Sequence, residues 1–566
     1  MQMRKGFVLV AGIAGSFCAM MLPTQVLAAP ARGVETLLPP DAGAVAAEVD
    51  QSRTWQPSSA ANDVHIEVHP PKGRDASLKI RVDAISFTGL EGGVAADALA
   101  PVVAPFLHQE QTIGGLWDIA AHVTEELHRR GFLAAIAILP EQEVVDGHVT
   151  LHVILGHYGK IGLENRSGLT TSRAVGFVHR LVPGELIRAK PLNRTLRILN
   201  EIAGLRAHAY LSPGEAAGTA DLLLKLERTE RQGGAVYLDD YGSRYTGRWR
   251  TGVTYHRDQV THVGDVFSMN VLHGAGDGLD SYDVRYELPL GRDGMRLDAE
   301  LYRTDYDLMR QYSKYDAYGT ASGWRVSLRS PIVRSLRYDL DALCELGTQK
   351  TTDRMGVFAV DAEKHDETLR FGFDSTWRTS QSAATLKLLH TFGRQRWDND
   401  DARSGAEANG TAAHFQKTTL DAYAVTRLSP VWTLHATLQA QMAFDNLDSS
   451  EKFYIGGYHG VRAFPQGEAG GDAGVLGSVE ARAPLGGAWQ AAVFYDAGWV
   501  RYVHHPIATT DENARTLAGA GFGILYDGTQ HLSARLDYAM PLSERWSESM
   551  GQNTHGMWWL ELADRF

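Results

Sequence analysis

Residues 432–444 read WTLHATLQAQMAF. Trp432, Leu434, Ala436, Leu438, Ala440, Met442 and Phe444 occupy every second position, with Thr433, His435, Thr437, Gln439 and Gln441 between them. Successive side chains of a strand point to opposite faces, so the stretch carries one apolar and one polar face over a membrane-spanning length. A soluble sandwich also alternates, but its strands rarely run this long or this often. Lipid offers no water to an unpaired backbone, so strands cross it only as a closed barrel.

Working outward, residues 532–540 place Ser533, Arg535 and Asp537 on a polar face, and residues 295–301 turn Arg296, Asp298 and Glu300 away from lipid. Segments of this kind begin near 233, 246, 265, 279, 294, 319, 335, 366, 383, 414, 432, 472, 489, 514, 532 and 557. The count predicts a transmembrane β-barrel of about 16 antiparallel strands over residues 231–566, an even number as bacterial outer-membrane barrels have. The long polar connection Asp398–Ala412 reads as an external loop, and residues 428–430 and 484–487 as short turns at the other rim.

The chain of 566 residues has formal net charge −12, with 44% hydrophobic and 22% charged residues. This acidity argues against a nucleic-acid groove. Arg4 and Lys5 precede the apolar run Gly6–Met21, and Val26-Leu27-Ala28 supplies small residues for cleavage, so residues 1–28 read as a secretory signal peptide. Its removal leaves Cys344 alone, so no intramolecular disulfide is available. Beyond the signal no apolar run reaches 18 residues, which excludes helical membrane bundles but not a barrel.

Residues 29–78 are rich in Ala, Pro, Ser and charge, and read as a linker carrying one short helix over Ala44–Ser52 with Asp41 as its N-cap. From residue 79 the texture becomes compact. Residues 80–87 suggest a strand, Ala95–Phe106 and Leu116–Arg130 two helices, and Leu133–Leu139 and His148–Ile154 two more strands. The same β-α-α-β-β order recurs in Gly159–Leu163, Ser172–Val182, Lys190–Ala203, Leu205–Leu211 and Asp221–Leu226, so residues 79–156 and 157–230 are tandem repeats of one small domain.

Gly131-Phe132-Leu133, Leu139-Pro140-Glu141-Gln142 and Asp146-Gly147-His148-Val149 resemble the first POTRA domain of two-partner secretion transporters. Pro191-Leu192, Leu196, Leu199-Asn200, Leu211-Ser212-Pro213-Gly214 and Gly218-Thr219-Ala220-Asp221-Leu222 resemble the second. The resemblance is to the haemolysin-activator and filamentous-haemagglutinin-transporter type, in the superfamily shared with barrel-assembly factors. It covers nearly the whole mature chain, including the helix and linker after the signal.

Between the eleventh and twelfth expected strands, residues 453–474 read FYIGGYHGVRAFPQGEAGGDAG, too Gly-rich and too long for a hairpin turn. This is the sixth external connection. In the superfamily it resembles, the loop carries a Val-Arg-Gly-Phe/Tyr motif and folds into the barrel, which implies an inward-folding loop over residues 445–472. The match here is Val461, Arg462, Ala463 and Phe464, with Ala463 in place of glycine, where a positive φ would be strained. The family's partner motif, Phe-x-Asp-x-Gly, matches Phe494, Asp496 and Gly498. Alternation places Val493, Tyr495, Ala497 and Trp499 on the apolar face of that segment, leaving Phe494, Asp496 and Gly498 toward the lumen. The resemblance thus implies an Arg462–Asp496 ion pair inside the barrel. The terminal Phe566 resembles the outer-membrane assembly signal, although Asp564 breaks the apolar parity there.

No catalytic or metal site is expected. Gly519-Ala520-Gly521-Phe522-Gly523 lies inside a strand and lacks the strand-to-helix context of a phosphate loop. His65 and His69, or His504 and His505, form no HExxH pattern. No cofactor is implied. The resemblance implies an outer-membrane transporter whose periplasmic POTRA pair captures an unfolded exoprotein through its N-terminal secretion domain and whose barrel passes it outward. Outer-membrane lipid and the barrel-assembly machinery are its other expected partners. The alternatives are a barrel-assembly or export factor, and a passive porin, which would need no POTRA domains.

Overall fold

The computed structural model describes residues 40–51, 63–66, 79–229, 232–506, 513–528 and 531–566. The expected signal peptide, residues 1–28, lies outside them. Among the described residues no helix is long and apolar enough to cross a membrane.

Sixteen strands close into a barrel in sequence order, from Gln232–Asp239 to Met557–Arg565. Most begin within a few residues of the expected positions; the largest departure is the eighth, Val360–Arg378. Alternation is local, and the side chains follow it. Trp432, Met442 and Phe444 are exposed on the outer wall, and Gln441 is buried inside. Exposed Trp432 and Trp489 mark the outer wall near one rim, and Phe444, Trp499 and Trp558 near the other, two belts of amphipathic rings at the depths where a bilayer meets water.

The closing seam between first and last strands runs from Ala235↔Arg565 to Asp239↔Glu561. The backbone of Phe566 extends it, exchanging hydrogen bonds with Gly234 at 2.9 and 3.0 Å. Leu562, Asp564 and Phe566 are all exposed, so Asp564 interrupts the apolar outer row just before the rim.

The inner wall is charged, and its charges are paired across neighbouring strands. Arg285 bonds Asp298, Arg325 reaches Glu300 at 3.5 Å, Arg329 reaches Asp341 at 3.6 Å and Arg370 reaches Glu345 at 2.9 Å. Opposed strands bring such residues side by side, and pairing offsets the cost of removing each charge from bulk water.

The two N-terminal units share their element order, with two departures from expectation in the first. The single strand expected over residues 80–87 is two: Lys79–Val82 pairs with Gln109–Thr112, and Ala84–Thr88 pairs with His148–Ile154. The helix expected over Ala95–Phe106 is three short turns, Ala96–Ala98, Ala100–Val103 and Ala104–Phe106. Pro101 and Pro105 sit at the first turns of the second and third, where a missing N–H is tolerated but a continuous helix is not. The next helix, Ile113–Arg129, starts at Thr112, whose hydroxyl accepts from Gly115 N at 3.0 Å. Leu116, Ile119, Val123 and Leu127 bury its apolar stripe.

The second unit sits against the barrel rim through its helix Ala189–Asn200 and the residue that follows. Arg197 bonds Asp339 and lies 3.6 Å from Glu201. Arg334 reaches Glu201 at 2.8 Å and Asp341 at 2.7 Å, and Arg180 reaches Asp293 at 2.9 Å. These barrel partners lie at or beside the short turns after the fourth and sixth strands.

The linker helix, Ala42–Gln51, lies inside the barrel. Asp41 caps it, its carboxylate accepting from Ala44 N at 2.9 Å. Ala42, Val45 and Val49 pack on Leu272, Leu279 and Tyr306 of the inner wall and on Tyr245 of the connection between the first two strands. Asp50 pairs with Arg325 at 2.5 Å, and Ala42 N donates to Asp353 at 2.6 Å.

Candidate functional site: the loop inside the barrel

Residues 444–472 connect the eleventh strand, Thr433–Ala443, to the twelfth, Ala473–Gly486. Instead of projecting past the rim, the connection turns inward. Its base is a two-residue ladder, Phe453↔Gly471 and Tyr454↔Gly470. Its tip closes on itself where Val461 N donates to Ile455 O at 2.7 Å and Gly457 N to Phe464 O at 3.2 Å. Val461, Ala463 and Phe464 are wholly buried with Ile455, Leu476, Phe494 and Leu517.

Arg462 is 5% exposed and is surrounded by carboxylates. Its Nε donates to Asp496 Oδ2 and its Nη2 to Asp496 Oδ1, both at 2.8 Å, in a two-pronged contact. Its backbone N–H reaches the same Oδ2 at 3.2 Å. Nη1 donates to Glu480 at 2.8 Å and to Asp537 at 3.3 Å, and Nη2 to Ser478 Oγ at 3.2 Å. The guanidinium carbon lies 3.3 Å from the ring centroid of Phe494. Arg535 and Arg482 in turn reach Glu480, each at 2.6 Å. Three arginines and three carboxylates thus form one buried network, in which Arg462 is the loop's contribution.

The backbone of the tip is held as well. Trp559 Nε1 donates to Arg462 O at 2.7 Å, and Thr554 Oγ1 to Ala463 O at 3.3 Å. Further along, Glu468 accepts from Arg515 at 2.8 Å and from Ser547 Oγ at 2.9 Å, tying the loop to the connection before the last strand. Tyr458 stacks on Tyr241 at 3.6 Å between ring centroids, beside Trp559.

The strain expected at Ala463 is absent: its φ is not positive, and the non-glycine residue of this loop in that region is Ala469, at φ 55°. The methyl group instead packs against a glycine. A Cβ on Gly519 would stand 2.6 Å from the Cβ of Ala463, and one on Gly498 would stand 3.0 Å from the Cβ of Ile455. A Cβ on Gly521 would meet the Phe494 ring at 2.5 Å. Gly519 and Gly498 therefore leave the inner wall bare where the loop docks, and Gly521 makes room for the Phe494 ring beside Arg462. Gly519→Val should push the tip off its seat at a cost of roughly 1–3 kcal/mol. Limited proteolysis of the loop in intact vesicles should speed up, whereas Gly405→Ala, whose Cβ meets no atom within 4 Å, should change nothing.

The structure brings together Val461, Arg462, Ala463, Phe464, Phe494, Asp496 and Gly498; Phe566 stands apart, at the rim. Sequence reasoning left out Glu480, Arg482, Trp559 and Glu468, and placed Arg535 and Asp537 on an inner face without linking them to the loop. Period-two alternation puts Glu480 on the face of Ser478, and the registers Ser478↔Asp496 and Asp496↔Gly519 align these strands; the register was the missing signal.

The family model described as haemolysin secretion/activation protein ShlB/FhaC/HecB matches residues 218–526, and that of the ShlB-type POTRA domain matches residues 80–156. The chain belongs to this family. The heme/hemopexin transporter protein HuxB of Haemophilus influenzae strain 86-028NP is 25% identical over 465 residues, 79% of this chain and 81% of that protein. The outer membrane transporter CdiB of Dickeya dadantii strain 3937 is 22% identical over 427 residues, covering 73% and 74%. Among solved structures, CdiB from Escherichia coli shares the fold with TM-score 0.65 at 18% identity, over 92% of this chain and 95% of that one. BamA from Haemophilus ducreyi lacking POTRA domains 1–3 shares it with TM-score 0.53 at 12% identity, over 86% of this chain and 100% of that one.

The protein is an outer-membrane transporter of the two-partner secretion type, with its POTRA units in the periplasm. Its partner is a secreted exoprotein, and its family is one of transporters rather than enzymes. The rim that carries the second POTRA unit is accordingly the periplasmic one, and the inward-turning loop is the sixth external connection.

Proposed function

We propose that the POTRA pair, residues 79–156 and 157–230, captures an unfolded exoprotein by its N-terminal secretion domain, and that the barrel, residues 231–566, passes it outward along a path whose wall the docked loop 445–472 completes. The observation that carries this reading is the seating of Arg462 on Asp496, Glu480 and Asp537. Arg462, with Trp559 on its backbone and Glu468 held by Arg515 and Ser547, fixes the loop to the charged inner wall, so the docked loop shapes the path through the lumen. A hydrated, charged inner wall suits an extended polar chain, and folding outside biases its direction, so the protein performs no catalysis of its own. The apolar belt contacts outer-membrane lipid, and Phe566 marks the chain for the barrel-assembly machinery.

The test is secretion of the exoprotein partner, to be sought first as a large open reading frame beside this gene. With the intact chain it should appear in the medium, and with residues 79–230 deleted it should accumulate in the periplasm. Equal secretion without the POTRA units would overturn the reading. A general fall in outer-membrane barrel proteins on deletion of the whole gene, with no effect on the exoprotein, would favour an assembly factor instead.

A further inference from the structure

Among the described residues, the external half of the lumen is closed by separate pieces. The helix Ala42–Gln51 covers inner faces of the third to sixth strands, and the tip of the inward loop covers the twelfth to fifteenth. The arc between them, on the eighth to eleventh strands, is filled by the turn Ser449–Glu451, which lies ahead of the loop's ladder.

Exposure along the inner wall shows where this turn acts. On the tenth and eleventh strands the inward rows run from Tyr423↔Thr437 through Asp421↔Gln439 to Lys417↔Ala443 at the outer end. Thr437 and Asp421 are exposed within the lumen. Gln441 is 6% exposed, Lys417 8% and Ala443 wholly buried. Successive rows are two residues apart, roughly 7 Å of strand, so the wall passes from open to sealed over a short distance.

Glu451 makes the seal. Its carboxylate lies 2.6 Å from Lys417 Nζ and 3.6 Å from Arg370, and its carbonyl accepts from Lys417 Nζ and Gln441 Nε2, both at 2.8 Å. Beside it, Asp448 pairs with Lys364 at 3.0 Å. The polarity is the reverse of that at the tip: there the loop gives an arginine to wall carboxylates, and here it gives carboxylates to wall cations. The turn is also mechanically separate from the tip. Leu447 N donates to Asp472 Oδ1 at 3.2 Å before it, and the ladder Phe453↔Gly471 follows it. With both flanks fixed, the turn can leave Lys417 while the tip stays seated as part of the wall.

Below the seal the wall is hydroxyl, amide and imidazole. Tyr423 Oη and His435 Nδ1 are 2.8 Å apart, and Gln439 Nε2 lies 3.4 Å from Asp421. Hydroxyl and amide groups both donate and accept, so such a surface pairs with the N–H and the C=O of an extended backbone whatever its side chains.

Resting on the transport reading above, we propose that the inner face around Asp421, Thr437 and Gln439 binds the extended, polar chain of the exoprotein as it enters the lumen, and that Glu451, held by Lys417, is the barrier at the end of this track. The advancing chain displaces Glu451 from Lys417 and Arg370, and the vacated turn opens the remaining rows to the outside.

The test uses the full-length chain with Cys344→Ser, which removes its exposed thiol, in outer-membrane vesicles from a strain without porins. A sulfonated maleimide, which does not cross lipid, should leave Thr437→Cys unlabelled in intact vesicles and label it once they are opened. Adding Glu451→Ala or Lys417→Met should speed labelling in intact vesicles at least about tenfold, because either change breaks a buried pair, with protease access to the loop tip unchanged. Equal labelling of intact and opened parent vesicles, no labelling in either, no gain from either substitution, or a gain found only with a loosened tip would overturn the barrier. In a second arm the exoprotein partner carries one cysteine and is stalled by a folded C-terminal fusion. It should form a disulfide with Thr437→Cys or Gln439→Cys and not with Thr254→Cys, on the second strand across the barrel. Crosslinking at Thr254 equal to that at Thr437, or none at Thr437 and Gln439, would overturn the track. If the parent exports no exoprotein while labelling behaves as described, the transport reading fails and the barrier stands.

Discussion

Arg462→Ala should nearly abolish secretion and free the sixth external loop. Removing one side of a buried ion pair costs roughly 3–5 kcal/mol, about a 100- to 4,000-fold shift in the docking equilibrium of the loop. Here the loss is concentrated, because Asp496 and Glu480 each lose a donor at 2.8 Å and Asp537 loses one at 3.3 Å. Lysine should rescue little, since it cannot make the two-pronged contact with Asp496. Exchanging the charges, Arg462→Asp with Asp496→Arg, should rescue little too, because the carboxylate introduced on the loop would face Glu480 and Asp537. Arg462→Ala with Asp496→Ala should be less defective than the two single effects summed, because the stranded carboxylate is gone. The measurements are exoprotein in the medium and protease access to the loop from outside intact cells. Wild-type secretion by Arg462→Ala would refute the anchoring role.

Deleting residues 41–51 should open the pore without harming the barrel. The helix is an object about 10–12 Å wide with its side chains, so its removal should raise single-channel conductance in planar bilayers by at least about twofold. Its attachments are few and identifiable. Asp41 accepts from Ser449 Oγ and lies 3.3 Å from Lys364, Ala42 N donates to Asp353 and Asp50 pairs with Arg325. Arg325→Ala should therefore give intermittent openings, and the deletion persistent ones. The helix also touches the inward loop: a Cβ on Gly43 would stand 2.7 Å from Ser449 Oγ and from Ser450 N. Helix and loop thus brace each other, and the deletion should also speed proteolysis of the loop. Unchanged conductance on deletion would mean that the helix does not obstruct the path.

Much of this molecule was legible because its main signal is local. Alternation over Trp432–Phe444 assigns every side chain to a face without reference to any other strand, since the period of two belongs to the strand itself. For the same reason the inward set Phe494, Asp496 and Gly498 could be separated from Val493 and Trp499. The helix over residues 42–51 was legible from its cap and its alanines.

The departures have equally physical causes. Two prolines broke a helix that propensity would have carried from Ala95 to Phe106. Ala463 was expected to strain a turn, but the tip places its unusual φ at Ala469, and Gly519 makes room for the Ala463 methyl group. Gly519-Ala520-Gly521-Phe522-Gly523, read on its own, gave only the negative result that it is no phosphate loop; the docked loop explains Gly519, and the Phe494 ring explains Gly521.

By itself the sequence determined a sixteen-strand barrel behind two repeats, the faces of its strands and the arginine that had to be received. Only the tertiary structure decided what receives it. Glu480, Asp537 and Trp559 meet Arg462 because strand register and barrel closure carry them there, and Trp559 lies 97 residues away in the chain. It alone placed the linker helix inside the lumen and Asp63–Ile66 on the edge of Leu205–Pro213. Four residues have too short a pattern to announce a partner so distant, and the pairing exists only because the repeat leaves that edge open.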